Sequence, residues 1–243
     1  MPDGLTAETA ALAFAVMAKA PQLGLVKTRL TPTLSNVQAR VLSEAFLADS
    51  IGVVREACHA IAIDPYIAYM PAGAEMQLRD IAGSSIGLVL ADGLPVDDVG
   101  VRGIGRSLLH ATRHLLAAGH VGICLISADS PTLPVCVLRE AAEHLARPGD
   151  RLVLGPSEDG GYYLIGLKAA HAELFREINW STATVAAETV AQAAAIDLEC
   201  IMLARWYDVD DTTSLQRLVT ALVSGTETAP RTAAALRSFG LVD

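Results

Sequence analysis

Residues 123–131 read Ile-Cys-Leu-Ile-Ser-Ala-Asp-Ser-Pro. The apolar run is too short for a helix and ends abruptly in Asp129, Ser130 and Pro131, as a buried parallel strand does when it delivers one carboxylate to its C-terminal edge. Ligands of open α/β sheets bind just outside that edge. A carboxylate there suits a divalent cation holding a phosphate. The same Asp-Ser-Pro also fits an ordinary turn or a helix N-cap, and Asp129 alone does not decide between the two.

Two further places carry chemistry. Lys19-Ala20-Pro21-Gln22-Leu23-Gly24-Leu25-Val26-Lys27-Thr28-Arg29 packs three cations, a glycine and a hydroxyl into one short stretch. Loops after the first strand of an α/β sheet wrap phosphates with backbone N–H groups and basic side chains. The spacing is not that of a Walker A loop, and a solvated surface loop is the competing reading. The other place is a pair of acidic loops, Gly155-Pro156-Ser157-Glu158-Asp159-Gly160-Gly161-Tyr162 and Trp206-Tyr207-Asp208-Val209-Asp210-Asp211. Taken singly, the first reads as a hairpin turn and the second as Asp211 capping a helix that begins near Thr212. Three loops placing carboxylates near one edge for unrelated reasons is the less economical account.

The elements that must position these groups alternate strand and helix throughout, which favours one α/β layered structure. Strands are expected at 11–18, 60–69 (interrupted near Pro65), 86–90, 121–127, 151–155, 162–167 and 198–204. Helices are expected from a Ser35–Gln38 capping box to about 57, and at 72–82, 104–118, after Pro134, near 169–176 and at 182–195, with helical stretches beyond 211. Val41, Leu42, Ala45 and Phe46 should face inward on the first helix. On the third, Ile104, Leu108, Ala111 and Leu115 should form the buried face, opposite Arg106, His110 and Arg113. His110 and His114 have the i, i+4 spacing of a metal pair but no acidic partner nearby in sequence, so a solvated helix face is expected of them. Residues 1–10 read as a loose leader, 11–220 as the core and 221–243 as a C-terminal helical extension, all in one domain.

Composition bounds the partners. With 52% hydrophobic residues the chain can bury a large core. It carries 18 basic and 27 acidic residues, a net charge of -9, which leaves no broad basic face for nucleic acid. No apolar stretch approaches the roughly 20 residues of a membrane span, and the acidic N-terminus is no signal peptide. The four cysteines, Cys58, Cys124, Cys136 and Cys200, form no C-x-x-C pair and read as buried reduced thiols. A cytoplasmic protein is expected.

Five segments in order carry a family resemblance: Met17-Ala18-Lys19-Ala20-Pro21 with Gly24 and Val26-Lys27-Thr28-Arg29-Leu30; Ser127-Ala128-Asp129-Ser130-Pro131; Gly155-Pro156 with Glu158-Asp159-Gly160-Gly161-Tyr162-Tyr163-Leu164; Trp180-Ser181-Thr182; and Trp206-Tyr207-Asp208-Val209-Asp210. Over about residues 12–220 the chain resembles the small bacterial glycosyltransferase-like family related to phospholactate guanylyltransferases. That family is similar to nucleotide-diphospho-sugar transferases of GT-A fold. The resemblance implies a three-layer α/β/α sandwich with a mostly parallel mixed sheet. It implies Mg²⁺ or Mn²⁺ on Asp129, with Asp210 as second ligand. It also implies nucleotide and phosphate contacts from Lys19, Gly24, Lys27, Thr28, Arg29, Gly103 and Gly105. Gly160, Gly161, Tyr162 and Trp180 would meet the acceptor, and Asp159, with Glu158 as the alternative, would orient or deprotonate its hydroxyl. Where the family usually has Gly-Asp-Leu-Gly-Glu-Arg, this chain has Arg102-Gly103-Ile104-Gly105-Arg106-Ser107, which keeps the glycines and one Arg and lacks both acids. The activity implied is transfer of a sugar from a nucleoside-diphosphate sugar to a small acceptor. The alternatives are nucleotidyl transfer from a nucleoside triphosphate to a phosphorylated small molecule, and nucleotide binding without catalysis.

Overall fold

Strand β1 (Leu12–Lys19) is buried on both sides, and its alternation sorts the two faces of the sheet. Leu12, Phe14, Val16 and Ala18 point into one core, Ala13 and Ala15 into the other. A computed structural model describes residues 11–31, 33–58 and 61–242; the expected leader at 1–10 lies outside them. Around β1 are β2 (Ile63–Met70), β3 (Gly87–Leu90), β4 (Ile123–Ser127), β5 (Arg151–Pro156), β6 (Tyr162–Leu167) and β7 (Glu199–Met202), in the order β3-β2-β1-β4-β6-β5-β7. The pairs β1·β2, β2·β3, β1·β4 and β5·β7 are parallel, and β6 alone runs against its two neighbours. The C-terminal ends of all strands but β6 therefore share one edge. The strand order reverses between β1 and β4, which makes that edge a topological switch point.

Helices cover both faces. Leu47, Ile51 and Val54 of α1 (Asn36–Cys58), Leu78 of α2 (Glu75–Ala82) and Val137, Leu138 and Ala141 of α4 (Val135–Ala146) fill one core. Leu108, Leu109 and Leu115 of α3 (Ile104–Ala117) and Ala193 of α5 (Val185–Ala195) fill the other. A third cluster joins Leu42 and Phe46 of α1 to Leu215 and Leu218 of α6 (Thr212–Ser224) and Leu236 of α7 (Pro230–Ser238). The result is a three-layer α/β/α sandwich on a mostly parallel mixed sheet. Among the described residues no helix is long and apolar enough to cross a membrane.

Local signals explain the element boundaries. At the start of α1, Ser35 N–H donates to Gln38 Oε1 at 2.9 Å and Gln38 N–H donates to Ser35 Oγ at 3.2 Å, a reciprocal cap. Asp211 caps α6 in the same way through Ser214. Several expectations need correction. β2 runs unbroken through Pro65, because pairing with β3 begins only at Tyr66 and the missing N–H disturbs no ladder there. The helix expected at 169–176 is a single 3₁₀ turn, Ala172–Phe175. It stops because Arg176 turns extended to bridge Val101, and Glu177 follows with φ of 53°. Val41 is only partly buried. Ile104 is exposed at the mouth of a cavity instead of buried. The tertiary fold gives His110 an acidic neighbour, Asp92 at 3.7 Å. The four cysteines are free, but only Cys124 is buried; Cys136 is exposed and the other two are intermediate.

Candidate active site

The loops leaving the C-terminal ends of β1, β4 and β7, together with the β5–β6 turn, converge over the switch point. Asp129 follows β4, and its backbone C=O accepts from Val209 N–H at 2.9 Å. The chain after β7 is thus stitched to the end of β4. Glu158 N–H donates to Trp206 C=O at 2.9 Å and stitches it to the β5–β6 turn as well. These two backbone contacts bring Asp210 beside Asp129, far from it in sequence.

Between the two carboxylates lies the ammonium of Lys27. Its Nζ is 2.7 Å from Asp129 Oδ1 and 2.9 Å from Asp210 Oδ1, and it donates to Val209 C=O at 2.7 Å. The Phe46 ring lies 5.3 Å away. The Lys27 side chain is 6% exposed, whereas Asp129 and Asp210 are 42% and 44% exposed. Burial alone would lower the lysine pKa, but the two carboxylates outweigh it and hold the ammonium above its ordinary value. Burial likewise opposes ionisation of Asp210, and Lys27 reverses the balance, so its pKa lies below the usual carboxylate range. Asp208 has no such partner: burial first, then the charges of Asp210 and Asp159, push its pKa up to about 7.

Two cavities open on this cluster. One, of about 530 Å³, is bounded by the β1–α1 loop, including Lys19, Lys27, Thr28 and Arg29, by Ser43 of α1, and by Asp129, Asp159 and Asp210. The other, of about 630 Å³, runs toward the ends of β2 and β3 and is walled by Tyr69, Asp92, Leu108, Tyr162 and Trp180. They share Met17, Ala18, Lys19, Asp129, Asp159, Ser181 and Thr182, so they form one bipartite cleft with a polar half and an aromatic half. Trp180, which lines the aromatic half, has a buried Nε1 with no partner among the described residues. Ser181 at the junction has φ of 65°, a strained setting for a residue with a Cβ and one that concentrates at functional sites.

The residues singled out from sequence divide accordingly. Lys19, Thr28, Arg29, Asp129, Asp159 and Asp210 border the polar half, and Gly103, Gly161, Tyr162 and Trp180 the aromatic half. Lys27 borders the cleft too, and three protein oxygens take up its donors. Glu158 borders neither cavity: its Oε2 is 2.6 Å from Arg217 Nη1. Gly24, Gly105 and Gly160 are also outside the lining. Gly105 and Gly160 are there for close approach. A Cβ on Gly105 would sit 2.7 Å from the Trp180 ring, and one on Gly160 would sit 2.1 Å from Ala183 O. These two glycines let Trp180 and the 181–183 loop lie down over the cleft. Asp208 and Ser43 were missed. Asp208 belongs to the acidic loop already recognised, but Ser43 lies mid-helix and gives no sequence signal.

Architecture and site together define a GT-A-type nucleotide-diphospho-sugar transferase fold. The chain belongs to the bacterial family described as "Uncharacterized protein conserved in bacteria (DUF2064)", which it matches over residues 53–182. A protein from Desulfovibrio desulfuricans G20, provisionally named a nucleotide-diphospho-sugar transferase, is similar in structure with a TM-score of 0.81 and 26% identity, over 95% of this chain and 96% of that one. A nucleotidyl transferase from Methanothermobacter thermautotroptrophicus shares the fold with a TM-score of 0.54 and 16% identity, over 88% and 99% of the two chains. Glucosyl-3-phosphoglycerate synthase from Mycobacterium tuberculosis, solved with Mn²⁺, UDP and glucosyl-3-phosphoglycerate, shares it with a TM-score of 0.50 and 14% identity, over 88% and 79%. The comparison with curated proteins gave no match.

Proposed function

We propose that the protein transfers a sugar from a nucleoside-diphosphate sugar to a small acceptor, assisted by a divalent cation. The observation that carries this reading is the bipartite cleft: an aromatic half able to take a flat base joins a polar half lined by cations and carboxylates at Asp129 and Asp159. The similarity to the Desulfovibrio protein favours a diphospho-sugar over a triphosphate donor.

The donor set fits a hard cation. Asp129 and Asp210 each keep one oxygen clear of Lys27, and both are half-exposed to the cleft. Among the described residues no group of three or more His, Cys, Asp or Glu could hold a metal ion by itself. Mg²⁺ or Mn²⁺ would therefore be held by these two carboxylates together with the substrate's own phosphates. Such a cation would supply charge neutralisation on the departing diphosphate.

The remaining work falls to the chain. Lys19 and Arg29 add fixed positive charge where the leaving group develops its own. Asp159 is oriented by Gly161 N–H, which donates to Oδ1 at 2.9 Å, and its second oxygen is the group to take the acceptor proton. Ser181 and Thr182 line both halves where they meet, and Trp180 lines the aromatic half.

The test is a thermal-shift panel of UDP-, GDP-, ADP- and dTDP-sugars and the four nucleoside triphosphates, with and without Mn²⁺, followed by product analysis. A ligand at 100 times its Kd should stabilise the fold by about 2.7 kcal/mol. A Mn²⁺-dependent shift with one diphospho-sugar, lost in Asp129→Ala, and release of a nucleoside diphosphate support the reading. A shift with a triphosphate alone and release of pyrophosphate replace it with nucleotidyl transfer. Metal-dependent binding without turnover of any donor replaces it with a nucleotide-binding protein that performs no catalysis.

A further inference from the structure

Lys27 occupies the place between Asp129 and Asp210 where the reading above would put part of a divalent cation's charge. We propose that Lys27 is a resident cation that weakens binding of a free divalent metal to these two carboxylates, so that the metal enters the site together with a nucleotide's phosphates. The inference rests on the proposed metal-assisted function and adds an order of binding to it.

Three observations point the same way. First, every proton of the ammonium has an acceptor: one oxygen from each carboxylate and the Val209 carbonyl, all within 2.9 Å. A lysine so engaged is part of the site's fixed charge and does not swing freely to a phosphate. Second, the backbone holds it there. Lys27 has φ of 49°, a left-handed setting that side-chain-bearing residues rarely adopt, and the Phe46 ring closes the other side of the ammonium. Third, its two partners are unequally committed. Each carboxylate gives Oδ1 to Lys27 and is more than two-fifths exposed, but Asp129 keeps Oδ2 clear for another cation whereas Asp210 also lies against the Asp208 carboxyl. The ligands are therefore pre-aligned, but a metal approaching them meets a positive charge a few ångströms away, with Lys19 and Arg29 on the same cavity wall. A diphosphate brings the negative charge that offsets this. Lys27 thus acts as a positioning residue for Asp129 and Asp210 and as a barrier to metal alone.

The experiment is Mn²⁺ binding, followed by the electron paramagnetic resonance signal of the free ion, to wild type, Lys27→Met and Lys27→Gln. Each is measured with Mn²⁺ alone and with the nucleoside diphosphate of whichever diphospho-sugar stabilises wild type in the thermal-shift panel. Circular dichroism melts establish that each variant is folded. The expected result is that both variants bind Mn²⁺ alone about tenfold more tightly than wild type or better, and that the difference narrows once the diphosphate is present. A purely structural lysine would lower affinity or leave it unchanged, so equal or weaker Mn²⁺ binding by the folded variants overturns the inference while wild type still binds Mn²⁺ with nucleotide. If no form binds Mn²⁺ under any condition, the metal-assisted reading falls with it. If Lys27→Met does not fold, Lys27→Gln, which keeps a donor to Val209 C=O, carries the comparison. If neither variant folds, Lys27 is a structural residue and the inference is overturned.

Discussion

Lys27 Nζ and Asp210 Oδ1 lie 2.9 Å apart although 183 residues separate them in the chain. The contact closes the candidate-site edge of the sheet, because it ties the first loop after β1 to the last loop after β7. Its two ends differ in exposure, and so do the consequences of breaking it. Replacing the half-exposed carboxylate, Asp210→Asn, leaves a buried ammonium with one charged partner in place of two. The expected loss is about 1.5–3 kcal/mol of unfolding free energy in urea at neutral pH. A loss below about 0.5 kcal/mol would mean that Asp129 and the Val209 carbonyl suffice for Lys27.

Asp159 and Glu158 are neighbours in sequence that the turn sends to different places. Asp159 faces the cleft; Glu158 faces Arg217, whose guanidinium in turn stacks 3.8 Å over the Tyr207 ring. Once a donor and acceptor are in hand, Asp159→Ala should lower kcat by about 10²–10⁴-fold, the usual range for a lost general base. Glu158→Ala should change kcat less than about threefold and stability by no more than about 1 kcal/mol, as expected of an exposed ion pair. Equal losses in the two variants would remove Asp159 from the role given to it here.

The fold was legible from the sequence because its strands are short apolar runs and its helices carry strong local signals, such as the reciprocal caps at Ser35 and Asp211. The segment at 169–176 was misread because the contact that ends its helical turn, the Val101–Arg176 bridge, lies far away in the chain. The site was legible as a set of loops, since Asp129, Asp159 and Asp210 each follow a strand or interrupt a hairpin. The directions of their neighbours were not. Nothing local distinguishes Lys27, which turns inward onto two carboxylates, from Lys19, which stays exposed and donates to Leu25 C=O. Nor does local sequence tell Glu158 from Asp159. Both distinctions arise from backbone stitches between β4, the β5–β6 turn and the loop after β7.

Asp49 shows how the C-terminal helices are held. It is buried in α1, and its two carboxylate oxygens accept from the backbone N–H groups of Arg231 at 3.0 Å and Thr232 at 2.8 Å, in the first turn of α7. One helix thus caps another across the third hydrophobic cluster. Asp49→Ala leaves two helix-terminal donors without acceptors and should cost about 1–3 kcal/mol. Hydrogen exchange should show the loss concentrated in α7, with the amides of β1 and β4 reporting only the global change. Uniform loss of protection would mean that α7 unfolds only with the sheet.

Tyr207 links the same helical layer to the site loop. Its hydroxyl donates to Glu227 Oε2 at 2.6 Å, and Thr132 Oγ1 reaches it at 3.4 Å. Burial, then the Glu227 carboxylate, pushes the phenol up to about 12 from an ordinary value near 10. Because the folded pKa is raised, the contribution of Tyr207 is whole below pH 10 and is lost as pH rises from 10 through 12, where the unfolded chain ionises first. Wild type should therefore lose stability over that window faster than Tyr207→Phe, which cannot ionise there. Paired urea melts at pH 8, 10 and 11 measure the difference, and absorbance near 295 nm should show one fewer late-titrating phenol in the variant. The other raised tyrosines, Tyr69 and Tyr163 among them, are common to both proteins and cancel in the comparison. Parallel loss in wild type and variant would show that neither burial nor Glu227 holds the phenol neutral in the folded protein.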